Sequence, residues 1–313
     1  VRALVTGADG FVGRHLVAAL RGRGAEVLAC GGPHASAGVL ALDLADGDAL
    51  RFALDHARPD VVFHLAAQSS VAASLHDPLP TYEVNALGTA RLLAAVRAYR
   101  DAGAPPPRVV FASSAEIYGI RAPEELPLRE TLEPRPVTPY GASKAAAEAI
   151  VLAEAAAFGF DALIARYFTN IGPGQDVRFA IASFAAQLAR IADGEERVLF
   201  VGDLSVRRDL LDVRDAVEAT IVLAERGTPG GIYNVCSGTA VALRDVVREL
   251  ILAAHVPVEV REDPARMRRA DVPVLVGDAS ALRALGWAPR YTLVRTLRDV
   301  FEDARTRRRK AAT

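Results

Sequence analysis

Short continuous apolar runs alternate with longer amphipathic, alanine-rich segments over the first half of the chain. "RALVT" precedes a helical pattern that runs to Arg21, and "AEVLAC" and "GVLALDL" follow as further strands. A helix over 47–57 leads into "DVVFHLAA", and a long helix over 80–102 leads into "RVVFASS". Apolar runs that do not alternate are the mark of strands covered on both faces. The pattern therefore predicts a parallel α/β sheet built from βαβ units with helices on either side.

After residue 119 the texture changes. Residues 120–139, "IRAPEELPLRETLEPRPVTP", are rich in proline and glutamate and read as an ordered surface loop. A helix over 143–158 and the strand "DALIARYF" follow, and then breaks such as "IGPGQD", "ADGEE" and "GTPGG" come closer together. They predict a smaller, irregular lobe interleaved with the sheet. The expected division is 1–167 for the sheet domain, with interleaved segments near 209–235, and 168–313 mainly for the lobe.

Composition narrows the classes. With 313 residues, 51% of them hydrophobic, the chain can bury a large core, and a formal charge of −1 gives no global field toward nucleic acid or an acidic membrane. Neither is expected as a partner. Cys30 and Cys236 are far apart and without metal-ligand spacing, so buried free thiols in a reducing compartment are expected. The six histidines are scattered, and no metal is expected. No apolar run approaches the roughly 20 residues that span a bilayer. The chain enters a strand at once, leaving no room for a signal peptide, and a cytoplasmic location is expected. The basic stretch "RTRRRK" near the C-terminus reads as a frayed, solvated helix end.

"VTGADGFVGRHL" is a strand, a turn through Gly7, Gly10 and Gly13, and the start of a helix. Glycines let backbone approach a pyrophosphate, and a helix N-terminus offers free N–H groups and a positive dipole end. The order strand, glycine turn, helix fits the dinucleotide fingerprint of a Rossmann sheet, doubly wound, with Asp9, Phe11 and Val12 in the same loop. The second strand ends in "VLACGGPH", with no Asp or Glu to bond a ribose 2′-hydroxyl. That leaves room for a 2′-phosphate, with Arg14 or His34 as nearby cations, so NADP(H) is favoured over NAD(H). Asp43 suits either an adenine amine or a cap nearby, and Leu44 lies beside it.

"PYGASK" puts Tyr140 and Lys144 four residues apart at a helix start, on one helical face. Tyrosine titrates near pH 10 in isolation, and a neighbouring ammonium and a cationic nicotinamide lower that value. Tyr140 then trades a proton with a sugar hydroxyl or ketone, and Ser114, ending the strand of "VVFASSAEIYG", holds the same oxygen.

The segments "TGADGFVG", "HLAAQSSV", "NALGTARLL", "SSAEIYG" and "PYGASK" together resemble the extended short-chain dehydrogenase/reductase family, in its nucleotide-sugar branch, along nearly the whole chain. The resemblance implies a Rossmann domain with a C-terminal nucleotide-sugar lobe. It sets Ser114, Tyr140 and Lys144 as the triad, and Leu65, Ala66, Ala67 and Tyr167 beside the cofactor. It also implies a homodimer built on the helices around 80–102 and after Tyr140.

Later segments, "ARYFTNIGPGQ", "VRRDLLDVRDAVEA", "GIYNVCSG" and "DPARMRRADVPVLVGD", resemble the GDP-4-keto-6-deoxy-D-mannose reductases, and next the GDP-mannose 4,6-dehydratases. Arg208 and Arg268 suit a sugar-nucleotide pyrophosphate, Asp271 suits ribose hydroxyls or an arginine, and Ser69 and Asn170 complete the expected substrate set. Two positions depart from the pattern: Thr169 replaces an asparagine, with Asn170 as its substitute, and Arg269 replaces a proline.

Glu116 stands two residues after Ser114, where a strand points both side chains the same way. A 4,6-dehydratase needs a base near C5, and Glu116 suits that role. Ala115, however, donates nothing where dehydratases carry an acid or a hydroxyl, and the related reductases also keep this glutamate. Reduction of the C4 ketone of a GDP-4-keto-6-deoxy sugar to GDP-D-rhamnose is the expected activity. A GDP-mannose 4,6-dehydratase, a 4-epimerase and a non-catalytic cofactor-binding regulator follow in that order.

Overall fold

The structure, a computed structural model, describes residues 1–267 and 272–312. Along the first half run β1 (Arg2–Thr6), α1 (Phe11–Gly22), β2 (Glu26–Gly31), β3 (Leu40–Ala41), α2 (Gly47–Ala57), β4 (Val61–His64), α3 (Val71–His76) and α4 (Leu79–Tyr82). Then come α5 (Gly88–Asp101), β5 (Arg108–Ser114), α6 (Pro139–Phe158), β6 (Ala162–Tyr167), β7 (Thr169–Ile171) and α7 (Ala180–Ala192). The rest comprises β8 (Val198–Val201), β9 (Arg207–Asp212), α8 (Val213–Arg226), β10 (Ile232–Val235), β11 (Ala240–Ala242) and α9 (Leu243–Ala254). It closes with β12 (Glu259–Glu262), β13 (Val274–Leu275), α10 (Ser280–Ala284) and α11 (Leu293–Ala312).

Seven strands form one sheet in the order β10-β6-β5-β4-β1-β2-β3. Every pairing in it is parallel. This is the doubly wound α/β architecture, and the order reverses between β1 and β4, where such sheets leave a crevice at their carboxyl edge. The carboxyl ends of β1, β4 and β5 carry Gly7, Leu65 and Ser114 to that edge. Two small sheets lie elsewhere: β11-β9-β13 with β7 on β9, and β12-β8. After β9 the chain returns to the large sheet, as α8 packs behind β5 and β6 and β10 adds the outer strand.

The apolar runs cover both faces of the large sheet. Val5, Leu16, Val110 and Leu163 belong to one buried cluster, and Leu4, Leu54, Leu93 and Ile164 to the other. A third cluster, including Ile181, Leu188, Leu250 and Phe301, holds α7, α9 and α11 together. Full burial of each such side chain is worth about 1.5–3 kcal/mol. Cys30 and Cys236 are buried free thiols within these cores.

Helix ends follow local chemistry. Thr138 caps α6 by accepting from Gly141 N–H, with Pro139 in the first turn, so α6 starts four residues before the expected 143. The expected helix over 80–102 is instead α4, a π turn (Glu83–Leu87) and α5. Buried Asn85 sits in that turn, and its amide bonds groups on Gln68 and Ser143. The C-terminal basic stretch is not a frayed end. Helix α11 runs through it, Arg307 pairs with Asp303 at 2.6 Å, and Arg308 pairs with Asp193 and Glu195.

Candidate active site

Gly7 follows β1 with φ +69°, in the left-handed region, and a Cβ there would fall 2.7 Å from the Ala66 nitrogen. Gly13 is tighter, since its Cβ would lie 2.1 Å from the Gly7 carbonyl oxygen. Backbone from β1, α1 and the 65–66 turn therefore meets with no room for side chains. Gly10 is the N-cap of α1 and no side chain caps the helix. The first-turn N–H groups, including those of Phe11 and Val12, are thus available to an anion at the positive end of the dipole. This cradle fits the pyrophosphate of a dinucleotide.

The adenosine end differs from expectation. The sequence shows no acid beside Gly31, but in space a Cβ on Gly31 would fall 2.7 Å from the Asp9 carboxylate. Arg14 is engaged elsewhere: Nη2 donates to Gly174 O at 2.8 Å, and Nη1 lies 3.4 Å from Asp9 O. His15 reaches Pro173 O at 2.9 Å. His34 is exposed in the loop after β2. Asp43 closes a turn by accepting from Ala45 N–H at 2.9 Å, while the cap of α2 is Asp46. The Leu44 side chain is buried against Gly88.

At the end of β5, Ser114 and Tyr140 are both buried and share a hydrogen bond. Burial pushes the Tyr140 phenol up to about 12; the Ser114 bond opposes this and the Glu116 charge adds to it. The phenol therefore keeps its proton at neutral pH and can donate it. Lys144, buried beneath it, donates from Nζ to Ala112 O at 2.7 Å and lies 4.9 Å from the Phe111 ring centre. Burial draws its ammonium down to about 7, opposed by the Glu148 charge. Ser74 anchors the helix start, its Oγ accepting from Tyr140 N–H at 3.2 Å.

Glu116 does not lie on the strand. β5 stops at Ser114, whose Oγ accepts from Glu116 N–H at 3.2 Å and caps a 3-10 turn (Ala115–Tyr118). Strand alternation is thus not what aligns Glu116 with Ser114, although its charge still reaches Tyr140. Ala115 is buried and offers no proton.

A buried polar string beneath the site carries no signal in motif spacing. His64 bonds Thr6 Oγ1 through Nδ1 at 2.7 Å and Thr89 Oγ1 through Nε2 at 3.0 Å. Thr89 donates to Asn85 O at 2.6 Å, and Thr6 Oγ1 accepts from Ala66 N–H at 3.3 Å. Burial, helped by Lys144, pushes the His64 imidazole down to about 3, so it is neutral. Asn85 Nδ2 reaches Ser143 Oγ at 2.9 Å, and Ser143 donates to Tyr140 O at 2.7 Å. Asn85 lies in "NALGTARLL", and its buried placement appears only in the fold.

Leu65, Ala66 and Ala67 form the turn after β4, and exposed Ser69 follows them. The Tyr167 hydroxyl bonds Thr220 on α8 inside the core. Asn170 Oδ1 is buried without a hydrogen-bond partner, while its carbonyl accepts from Gln175 at 2.9 Å. Arg208 is buried, its Nη1 donating to Arg207 O and to Val272 O at 2.6 Å. Arg268, Arg269 and Asp271 lie outside the described residues. A groove of about 510 Å³ opens between Gly172, α7 and α11, but none of Ser114, Tyr140 or Lys144 lines it. Chemistry rather than cavity size locates the site. Among the described residues no group of three or more His, Cys, Asp or Glu is placed to hold a metal ion, and no helix is long and apolar enough to cross a membrane.

Residues 3–236 match the family described as the NAD dependent epimerase/dehydratase family. The chain is 39% identical over 311 residues to the GDP-6-deoxy-D-mannose reductase of Pseudomonas aeruginosa, covering 99% of each. It is 30% identical to a GDP-mannose 4,6-dehydratase of Vibrio cholerae, covering 80% of this chain and 74% of that protein. Among solved structures, that of RMD from Pseudomonas aeruginosa complexed with NADPH superposes with a TM-score of 0.88 at 37% identity, covering 98% of this chain and 100% of that one.

Proposed function

The chain belongs to the NAD dependent epimerase/dehydratase family, the extended short-chain group that its motifs resemble, and from that premise we propose that it reduces the C4 ketone of GDP-4-keto-6-deoxy-D-mannose to give GDP-D-rhamnose. The observation that carries this reading is Tyr140: buried, protonated and bonded to Ser114, with buried Lys144 four residues on along the same face of α6. Full-length similarity to a reductase supports the substrate class.

NADP(H) is the proposed cofactor, in line with the NADPH held by the Pseudomonas relative. Gly7, Gly10 and Gly13 with the N–H groups at Phe11 and Val12 hold its pyrophosphate, Leu65 to Ala67 flank it, and Asp9 stands at the adenosine end. Bound there, it supplies a hydride to C4. Tyr140 donates its proton to the developing alkoxide, Ser114 bonds the same oxygen, and the Lys144 ammonium stabilises the phenolate that remains. Burial, with the Glu116 charge adding to it, holds Tyr140 protonated until that moment.

Residues from 168 onward, apart from the return through α8 and β10, form the proposed sugar-nucleotide lobe. By the motif resemblance, Arg208, Arg268 and Asp271 are the proposed nucleotide contacts, and Ser69 and Asn170 the proposed sugar or phosphate contacts. The unpartnered Asn170 Oδ1 supports its share of that task. Leu79, Val84 and Leu87 are exposed along α4 to α5, beside exposed alanines 146, 149 and 153 of α6, which supports a homodimer through these helices. A cytoplasmic location belongs to the same proposal.

GDP-mannose 4,6-dehydratase is the second reading, favoured by Glu116 beside Tyr140. The test offers GDP-mannose and GDP-4-keto-6-deoxymannose separately, each with NADPH and with NADH. Oxidation of NADPH only with the ketone supports reduction. Loss of water from GDP-mannose without net cofactor use overturns it.

A further inference from the structure

One helical turn beyond Lys144 on α6 stands Glu148, buried. Arg166 of β6 grips its carboxylate: Nε reaches Oε1 at 3.0 Å and Nη2 reaches Oε2 at 2.8 Å. The two side chains are only 4% and 3% exposed. Arg166 also donates from Nη1 to the Tyr118 hydroxyl at 2.9 Å and to Glu130 O at 3.0 Å. Tyr118 in turn donates to Asn234 Oδ1 at 2.7 Å. Tyr118 shares its 3-10 turn with Glu116. One ion pair therefore joins the helix of Tyr140 and Lys144, the turn of Glu116 and the strand next to Ser114.

A well-packed apolar pair of the same volume braces two elements as well as a buried ion pair does. What it lacks is a negative charge beside Lys144. Residues four apart on a helix share a face, so Glu148 lies on the same side of α6 as Lys144. The remaining titratable groups facing Lys144 carry no negative charge: Tyr140 on α6 is protonated and His64 on β4 is neutral. The other contacts of its ammonium are Ala112 O and the Phe111 ring on β5. Glu116 acts one residue further out, on Tyr140. Burial alone drives the Lys144 proton off, and Glu148 is the group that opposes this.

We infer that Glu148, fixed by Arg166, is a positioning residue that keeps Lys144 a cation behind Tyr140, and that this buried pair sets the pH range over which the site operates. The role rests on Lys144 being the cation that serves Tyr140. Arg166 holds the carboxylate in place and keeps Glu148 from being a lone buried anion. Composition strengthens the case, because of 37 Lys and Arg residues only Lys144 and Lys310 are lysine. A buried ammonium, unlike a guanidinium, can lose its proton near neutral pH, so it is the cation that needs a nearby carboxylate to stay charged.

The same scarcity supplies the test. The full chain labelled with ¹³C at lysine Cε gives two lysine signals, one from Lys144 and one from exposed Lys310, and each titrates separately. Glu148→Gln is expected to lower the Lys144 midpoint by about one pH unit or more, leaving Lys310 in place. Glu148→Gln/Arg166→Met removes both charges without stranding either, and serves if the single variant does not fold; it is expected to show a smaller downward move, because the lost guanidinium no longer repels the ammonium. Glu148→Asp keeps the charge and moves the midpoint less. A folded double variant whose Lys144 midpoint equals that of the wild type overturns the inference. No substrate enters this measurement, so failure of ketone reduction and failure of the Glu148 role register separately.

Discussion

The charge of Glu116 acts on the Tyr140 phenol from a 3-10 turn, not from the strand that carries Ser114. It raises the phenol's affinity for its proton, which suits an acid that protonates an alkoxide. Glu116→Gln removes that push, so Tyr140 loses its proton at lower pH. The alkaline limb of ketone reduction should move to lower pH, by less than burial moves it up. At neutral pH the rate should fall less than about tenfold, well under the loss typical for a removed general base. A pH profile of kcat on the keto-sugar checks both, and a larger neutral-pH loss means that Glu116 takes a direct part in the reduction.

Tyr140→Phe removes the proton donor and leaves the glycine cradle untouched. Ketone reduction should fall by about 10² to 10⁴-fold, while NADPH binding, followed by nucleotide fluorescence, stays near the wild-type level. Unchanged turnover removes Tyr140 from the chemistry.

Asp9 places a carboxylate against Gly31, where the sequence shows no acid. A negative charge there weakens the preference for a 2′-phosphate over a 2′-hydroxyl without reversing it. Asp9→Ser should move the ratio of kcat/KM for NADPH over NADH toward NADPH by about tenfold, a difference of about 1.4 kcal/mol. A ratio that does not move places the carboxylate outside the adenosine site.

His64 is neutral because burial holds its imidazole down near 3, against an ordinary value of 6.5. Below pH 6.5 the unfolded chain binds this proton and the folded chain does not, so stability falls as pH drops from about 6.5 to about 3. Within that window each pH unit removes about 1.4 kcal/mol. His64→Gln should flatten this part of the stability curve, measured by urea unfolding between pH 4 and 7, while lowering stability at pH 7.

The alternation of apolar runs and amphipathic segments made the parallel sheet legible, because strands buried on both faces have no polar positions to hide. The strand, glycine turn and helix at residues 5–16 were equally legible, as was the spacing of Tyr140 and Lys144, since each depends on neighbours in the chain. What depends on distant partners was not. Arg14 looks free for a phosphate until Gly174, from far along the sequence, takes its guanidinium. Asp9 meets Gly31 only once β1 and β2 pair. Glu116 reads as a strand residue because nothing local says that Ser114 will cap a turn. The basic C-terminal stretch reads as solvated because Asp193 and Glu195 are more than a hundred residues away.

The buried string at His64 has one orientation. Ala66 N–H points to Thr6, the Thr6 hydroxyl to Nδ1, Nε2–H to Thr89, and the Thr89 hydroxyl to the Asn85 carbonyl. Its first member only donates and its last only accepts, so the string has no reversed form. A proton wire must be able to flip after each transfer, and this one is locked. Although His64 lies one strand away from Lys144, it is an insulator. A proton that recharges Tyr140 after turnover does not travel through this string.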